Sequence, residues 1–305
     1  MKRVISLGSV NLDLQVKVSR WPQPGEALPA HELLITGGGK AANVAFQVHR
    51  LGGEVALVAH VGDDSFADQA LERLSREGVN LSYIKRVENV ATGLAMIAVR
   101  PDGEKSIILS TNANEEWERE DFRALDRVFE DSSDDSILTV DLEMAPDAVE
   151  YALERANYKG LTVVLDPSPA DRMRDSWYSR VDYIVPNVSE ASMLSGVQVE
   201  SLESAFMAAE VIFRKGAGAA LVKFGKEGCA MVSSQGQKQY PTIQVAAIDK
   251  TGAGDAFAGG LSYGLLQSWN FDRVIRTALV TSALSVTAYG SQDSYAGLQD
   301  VNKYL

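Results

Sequence analysis

The feature that most constrains the fold is a regular alternation of short apolar segments with longer amphipathic ones. Segments of both kinds bounded by Gly, Pro or Asp recur along most of the chain: strands over Val4–Ser9, Val55–Val61, Ile137–Leu142, Leu161–Asp166, Tyr183–Pro186 and Ala219–Lys223, and helices over Lys40–Leu51, Asp64–Glu77, Pro146–Tyr158, Ser189–Leu194 and Leu202–Lys215. This alternation predicts an α/β protein with a mainly parallel sheet and helices on both faces. Because no linker or repeat interrupts it, we predict one domain over residues 1–305.

Composition excludes several classes of protein. The chain has 305 residues, of which 46% are hydrophobic, and a net charge of −12, so it can bury a large core and lacks the basic surplus of a nucleic-acid-binding surface. No apolar run is long enough to span a membrane. Cys229 is the only cysteine, so no intrachain disulfide can form. We expect a cytoplasmic protein that binds neither membrane nor nucleic acid.

A hairpin interrupts the alternation. Gly93–Val99 and Lys105–Leu109 flank the turn Arg100-Pro101-Asp102-Gly103, which carries strong turn residues. We predict that segments 92–111 and 14–34 form a small second layer of strands, a lid over a site.

The richest motif is Asp249-Lys250-Thr251-Gly252-Ala253-Gly254-Asp255. An alternating apolar run before it, Tyr240–Ile248, predicts a strand, and a small-residue segment after it predicts a helix over Asp255–Leu266. The amides of Gly252, Ala253 and Gly254 would then bind an anion at the helix start. Asp255 would accept a proton from an attacking hydroxyl. A tight glycine turn with a capping aspartate is the structural alternative.

A second glycine run, Gly37-Gly38-Gly39-Lys40, opens the first helix. It is not a nucleotide-binding P-loop, because Leu34 stands where that motif needs glycine and Ala41 where it needs Ser or Thr. Lys40 and Asn43 fall one turn apart on one face of the helix.

Several polar side chains follow predicted strands. The carboxyl ends of parallel strands share one edge of the sheet, so these residues can share one cleft: Asn11, Asp13, Glu143, Asn187, Glu190 and Asp255. Asn11 and Asp13 point the same way on an extended backbone. Each residue alone also fits a turn or a solvent-exposed strand end.

Together these motifs resemble the ribokinase (PfkB) family of ATP-dependent sugar kinases. The resemblance rests on Gly38-Gly39-Lys40-Ala41-Ala42-Asn43 and on Asp249–Asp255, in this order and with strands between. It implies the ribokinase-like three-layer αβα fold with a small β lid, MgATP as phosphate donor, and a homodimer formed through the lid.

The resemblance also implies residue roles. Asp255 would be the catalytic base and the amides of Gly252, Ala253 and Gly254 the anion hole. The sugar would contact Asn11, Asp13, Gly39, Lys40, Asn43, Glu143 and Asp255. The nucleotide would contact Asn187, Lys223, Gly225, Gly228 and Gly254. Asn187 and Glu190 would hold Mg²⁺ mostly through water. A monovalent cation, K⁺, would lie near Asp249, Thr251, Ser285, Ala288, Gly290 and Ser294.

Within the family, Asn11, Asp13 and Glu143 favour ribose as the substrate. Two departures weigh on that reading: Ala41 replaces a glycine beside the sugar site, and Lys250 brings a positive charge beside the K⁺ site. Kinases for another sugar, a sugar acid or a nucleoside remain alternatives, as does a non-catalytic sugar-binding regulator. A Rossmann dehydrogenase is set aside because no GxGxxG follows the first strand.

Overall fold

The computed structural model describes all 305 residues. Its strands are β1 (Val4–Leu7), β2 (Asn11–Lys17), β3 (His31–Gly38), β4 (Val55–Gly62), β5 (Ile84–Val87), β6 (Gly93–Val99), β7 (Lys105–Ser110), β8 (Ile137–Val140), β9 (Thr162–Leu165), β10 (Tyr183–Ile184), β11 (Ala219–Lys223), β12 (Cys229–Ser233) and β13 (Gly236–Tyr240). Its helices are α1 (Lys40–Arg50), α2 (Ser65–Glu77), α3 (Arg119–Glu130), α4 (Pro146–Lys159), α5 (Val188–Ser195), α6 (Leu202–Arg214), α7 (Ala253–Leu266), α8 (Phe271–Ser285) and α9 (Leu298–Val301).

The main sheet has nine strands in the order β13-β12-β11-β10-β9-β8-β1-β4-β5. It is parallel from β5 to β11 and antiparallel at β12 and β13, which confirms the predicted mainly parallel sheet. The strand order reverses at β1, which lies between β4 and β8. A ligand crevice is therefore expected beyond the carboxyl end of β1.

Helices cover both faces of this sheet and make the predicted three layers. One apolar core packs α1, α2, α7 and α8 against the sheet, and a second packs α3, α4, α5 and α6 against the opposite face. Neighbouring residues of one strand divide between the two cores, Val4 with the first and Ile5 with the second. This division follows from the alternation of side chains along a strand.

The lid is a separate four-stranded sheet in the order β3-β2-β6-β7. It extends further than predicted, because Asn11 and Asp13 lie inside β2 rather than after a strand of the main sheet. Its outer surface carries an apolar row, in which Ile35, Met96 and Ile108 are 45%, 42% and 64% exposed. The register aligns these three side chains across adjacent strands.

One predicted element in the C-terminal part of the chain is wrong. No strand covers Tyr240–Ile248: β13 ends at Tyr240, and residues 241–248 form a loop. Pro241 cannot donate the next ladder hydrogen bond, and the loop places its apolar residues against a cavity instead of a neighbouring strand.

No helix in the structure has the length and apolarity that crossing a membrane requires.

Candidate active site

A cavity of about 990 Å³ lies between the carboxyl edge of the main sheet and the lid. Its wall includes every residue predicted to contact sugar, nucleotide or Mg²⁺: Asn11, Asp13, Gly39, Lys40, Asn43, Glu143, Asn187, Glu190, Lys223, Gly225, Gly228, Gly252, Ala253, Gly254 and Asp255. Thr251 is the one member of the predicted K⁺ set that lines it. The fold therefore gathers residues from distant parts of the chain in one place.

The turn before α7 sets the position of Asp255. Gly252 caps the helix with a left-handed backbone, φ 73°. A Cβ there would lie 2.6 Å from Ser291 Cβ and from the Tyr295 hydroxyl, and that hydroxyl donates to the Gly252 carbonyl over 2.8 Å. Only glycine fits both the conformation and the space. Asp255 consequently stands in the first turn of the helix, 7% exposed.

Asp255 meets an amide and an ammonium group. Its Oδ2 accepts from Asn43 Nδ2 over 2.8 Å, and its Oδ1 lies 3.7 Å from Lys40 Nζ. The pKa of Asp255 is raised, because burial outweighs the opposing effects of Lys40 and of the Asn43 hydrogen bond. A buried carboxylate beside a cation and a donor suits a base that receives a proton from a substrate hydroxyl.

Asp166 is a site residue that the sequence analysis missed. It follows β9, and its carboxylate lies 3.6 Å from Lys40 Nζ and 3.1 Å from Lys223 Nζ. Burial acts to raise the pKa of Asp166, but the two ammonium groups outweigh it and lower that pKa. Its Oδ1 is buried without a hydrogen-bond partner. The predicted strand ran to Asp166, but β9 ends at Leu165, so with the observed strand end the rule that selected Glu143 and Asn187, a polar residue just after a strand, also selects Asp166.

Glu143 organises the side of the cavity under the lid. Its Oε2 accepts from Ser9 Oγ over 2.9 Å and from Asn11 Nδ2 over 3.2 Å. Asn114, another residue the sequence did not single out, donates to Asn11 Oδ1 over 2.9 Å. The outward oxygen and amide groups of this network can bind the hydroxyls of a sugar.

Asp13 stands beside Asn11 on the lid. Burial first, and then the charges of Glu143 and Asp255, raise its pKa to about 7. Gly38 makes room for it, because a Cβ at that position would lie 2.3 Å from a carboxylate oxygen of Asp13. The alternating pattern thus predicted the shared direction of Asn11 and Asp13 correctly, and both line the cavity.

The lid contributes further cavity residues that were not predicted. Lys105, Ile107 and Leu109 occupy alternate positions of β7 and line the cavity together with Ala95 and Ile97 of β6. Part of the Lys105 side chain is exposed, but the protein atoms around its ammonium group still remove enough water to lower its pKa, although Asp249 and Asp255 act to raise it. The period of two in the hairpin is the signal that identifies this face.

The opposite end of the cavity is suited to a nucleotide. Gly225 and Gly228 form the loop after β11, and Gly228 has a φ of 95° where a Cβ would lie 2.0 Å from the Tyr240 carbonyl. The apolar side chains that line this end are Ile243, Val245, Leu279, Ala283 and Val286. They come from the loop 241–248 and from α8 with its C-cap, so they can cover the face of a base.

Asn187 and Glu190 are hydrogen-bonded to each other at the start of α5. The side-chain Nδ2 of Asn187 donates to Glu190 Oε1 over 2.6 Å. The backbone N–H of Asn187 donates to Glu190 Oε2 over 2.7 Å. This capping box explains their spacing as a helix start. Both side chains also line the cavity on the side of Asp166 and Lys223.

The predicted K⁺ residues lie in two segments that contact each other, the turn before α7 and the stretch from the end of α8 to Ser294. Asp249 accepts from Thr251 through Oδ1 and from the Gly290 amide through Oδ2 over 3.0 Å, and these bonds lower its pKa although burial acts to raise it. Ser285 and Gly290 are buried, Ser294 is partly buried, and Ala288 is exposed. Lys250 is exposed too, at the rim of the cavity.

Comparison with known proteins agrees with this geometry. Residues 1–296 match the model of the pfkB family carbohydrate kinases. The chain is 35% identical to a ribokinase of Haemophilus influenzae over 100% of this chain and 98% of the relative. It is 33% identical to a deoxyribokinase of Salmonella typhi over 98% and 97%. The structure of Arabidopsis thaliana ribokinase complexed with ribose and ATP matches with a TM-score of 0.87 and 26% identity, covering 100% and 99%.

The mainly parallel sheet and the β lid enclose a cavity that contains the buried carboxylate of Asp255 and the ammonium groups of Lys40 and Lys223, an arrangement that suits a kinase of small molecules. With the family match over nearly its whole length, the chain belongs to the PfkB family of carbohydrate kinases. Its activity is ATP-dependent phosphorylation of a carbohydrate.

Proposed function

We propose that this kinase phosphorylates the primary hydroxyl of D-ribose to give ribose 5-phosphate. The observation that carries the proposal is that Asn11 and Asp13 of the lid and Glu143 of the sheet face the same cavity as Asp255. Such a set binds several hydroxyls at once and leaves one near the base. A relative named ribokinase and a similar structure with bound ribose and ATP support the choice.

In the proposed reaction, the sugar hydroxyl oxygen attacks the γ-phosphorus of ATP and the bond to the β-phosphate oxygen breaks, releasing ADP. The hydroxyl proton passes to Asp255. The amides of Gly252, Ala253 and Gly254 stabilise negative charge on the transferring group from the start of α7. Lys40 adds positive charge between Asp255 and Asp166.

The residues on the nucleotide side fit a magnesium ion. The buried Asp166 Oδ1 has no hydrogen-bond partner, and Glu190 and Asn187 add oxygen ligands on the same side. Carboxylate, amide and water oxygens are what Mg²⁺ prefers, so we propose that these three residues hold the ion, mostly through water. When bound, Mg²⁺ neutralises charge on the phosphate oxygens of ATP.

We also propose a K⁺ ion between the two loops that carry Asp249, Thr251, Ser285, Ala288, Gly290 and Ser294. The hydrogen bond from the Ile248 amide to the Val286 carbonyl, 2.7 Å long, supports this because it brings the loops together. The exposure of Lys250 leaves its ammonium free to extend into solvent.

A sugar acid is the second candidate substrate, and one observation favours it. Lys105 places an ammonium group in the wall of the cavity without any hydrogen bond or ion pair to a protein group. A carboxylate on the substrate would pair with it. The deoxyribokinase among the relatives makes 2-deoxyribose a third sugar to test.

We propose a homodimer formed through the lid, in the cytoplasm. The apolar row Ile35, Met96 and Ile108 on the outer face of the lid supports the dimer, because a second copy would remove it from water. The single, buried Cys229 fits a reducing compartment.

The test is ADP release over a panel of ribose, 2-deoxyribose, fructose, gluconate, 2-keto-3-deoxygluconate, adenosine and inosine, with and without K⁺. We expect the highest kcat/KM with ribose, and a loss of at least about 100-fold in Asp255→Asn because the base is gone. Higher turnover of a sugar acid would transfer the assignment to the second candidate. Unchanged turnover of Asp255→Asn would remove that residue from its role.

A further inference from the structure

One buried hydrogen bond close to Asp255 has no part in the proposed reaction. Gln292 Nε2 donates to Asn43 Oδ1 over 3.1 Å. The other end of the same Asn43 amide donates to Asp255 Oδ2 over 2.8 Å. The exposed fractions of Asn43, Gln292 and Asp255 are 4%, 3% and 7%. The three side chains thus form a buried chain of two hydrogen bonds that ends on the base.

The orientation of the Asn43 amide decides what Asp255 meets. An ionised carboxylate only accepts hydrogen bonds, so it is stabilised by the amide nitrogen and repelled by the amide oxygen. The two ends of an asparagine amide have nearly the same shape, so packing cannot choose between them. A donor on the far side can choose, because it requires the oxygen to face it. Gln292 is that donor.

Gln292 is not explained by stability. Its Oε1 is buried without a hydrogen-bond partner, and a group of this kind costs about 1–3 kcal/mol. An apolar side chain of the same length would avoid that cost but would leave the buried Asn43 Oδ1 without its donor, so stability gives no net preference for glutamine. A buried polar group that is only half satisfied is therefore better accounted for by what its donor does to Asn43.

We propose that Gln292 is a positioning residue, which holds the Asn43 amide with its nitrogen toward Asp255 and so keeps the base in place for proton transfer. The proposal rests on the role of Asp255 proposed above. Gln292 touches neither the cavity nor the reacting atoms; it acts through Asn43.

The proposal predicts that removing the Gln292 donor lowers kcat but changes neither KM for ATP nor, to any large extent, Tm. Gln292→Met keeps the length and removes the donor, so kcat should fall about 10-fold while KM for ATP stays unchanged and Tm changes little, since one buried acceptor without a partner replaces another. Gln292→Glu should cost more, about 100-fold in kcat, because the new carboxylate accepts from the Asn43 nitrogen and turns the amide oxygen toward Asp255. Asp293→Ala, on the same loop and paired with Arg73 at the surface, is the matched control and should keep the kcat of the unchanged enzyme.

The experiment is steady-state kinetics of these variants with the best substrate of the panel, together with Tm and the same Gln292→Met change made in Asn43→Ala. We expect Gln292→Met to have no further effect on kcat once Asn43 is truncated. A kcat within twofold of the unchanged enzyme in both Gln292 variants overturns the proposal, as does an equal loss in the Asn43→Ala background. Asp255→Asn, measured alongside, separates the two ideas: if it keeps full turnover, the role of Asp255 fails whatever the Gln292 variants do.

Discussion

Burial disfavours the charged form of several carboxyl groups in the cavity and raises their pKa. Asp13 is the clearest case, since burial and the neighbouring Glu143 and Asp255 raise its pKa from 3.8 to about 7. A group of this kind binds its proton more tightly in the folded than in the unfolded chain. The contribution of Asp13 to the free energy of unfolding is therefore fully present below its usual pKa of 3.8 and is lost as pH rises through about 7.

This gives a prediction at the residue scale. Asp13→Asn removes the titration, so the ligand-free variant should be more stable than the unchanged protein at pH 8, by a few kcal/mol at most, and equal to it near pH 4. Thermal unfolding measured from pH 4 to pH 8 checks this. A variant with the lower Tm at pH 8 would contradict the burial of a charged Asp13.

Residues far apart in sequence were the hardest to predict. Asn43 and Asp255 were assigned to the site because each lies in a recognisable glycine motif. Gln292 and Asn114 lie in no motif, and their roles depend on partners 249 and 103 positions away. Asp166 was missed for a different reason, because it was assigned to the end of a strand rather than to the polar residues that follow one.

At the scale of elements, local patterns predicted the βα units well because each unit buries its own apolar face. The pattern failed at Tyr240–Ile248, where alternation arises from side chains that line a cavity instead of from a strand. The first lid segment also begins earlier than predicted, at Asn11 instead of residue 14, because Asn11 and Asp13 were interpreted as the polar end of the first strand and not as part of β2.

The turn into α7 carries the prediction at this scale. Gly252→Ala adds a Cβ within 2.6 Å of Ser291 and Tyr295 at a left-handed position, so it should destabilise the fold by roughly 2 kcal/mol and lower kcat at least 10-fold by moving the anion-binding amides. Denaturant unfolding and steady-state kinetics measure the two effects.

Gly196→Ala is the matched control for this change. Gly196 has a φ of 74° at the end of α5, and a Cβ there meets no atom within 4 Å. The backbone cost remains, about 1 kcal/mol, while kcat should not change. If Gly196→Ala lowered kcat as much as Gly252→Ala, a general loss of stability would explain both results.

At the scale of the whole molecule, the lid covers the cavity with one face and exposes apolar side chains on the other. Ile108→Glu places a charge in the exposed row, so it should convert the proposed dimer to a monomer. Met193→Glu is the control, because Met193 on α5 is equally exposed, 64%, and lies outside the lid.

Light scattering after size-exclusion chromatography distinguishes these states. We expect about twice the chain mass of 33.0 kDa for the unchanged protein and for Met193→Glu, and the single mass for Ile108→Glu. An unchanged protein that elutes as a monomer at micromolar concentration would refute the lid dimer.

The contacts made by residues 290–295 have a consequence for biosynthesis. Gly290 binds Asp249, Gln292 binds Asn43, and Tyr295 binds Gly252, so residues 290–295 leave the ribosome after every partner that they bind here. A domain generally folds as a unit, so the elements before these residues are not expected to reach their final arrangement until residues 290–295 are available. A nascent chain that stops before residue 290 would carry Asp255 without the contacts that these residues make to Asp249, Asn43 and Gly252. Competence for phosphoryl transfer is therefore expected only after residues 290–295 have been synthesised.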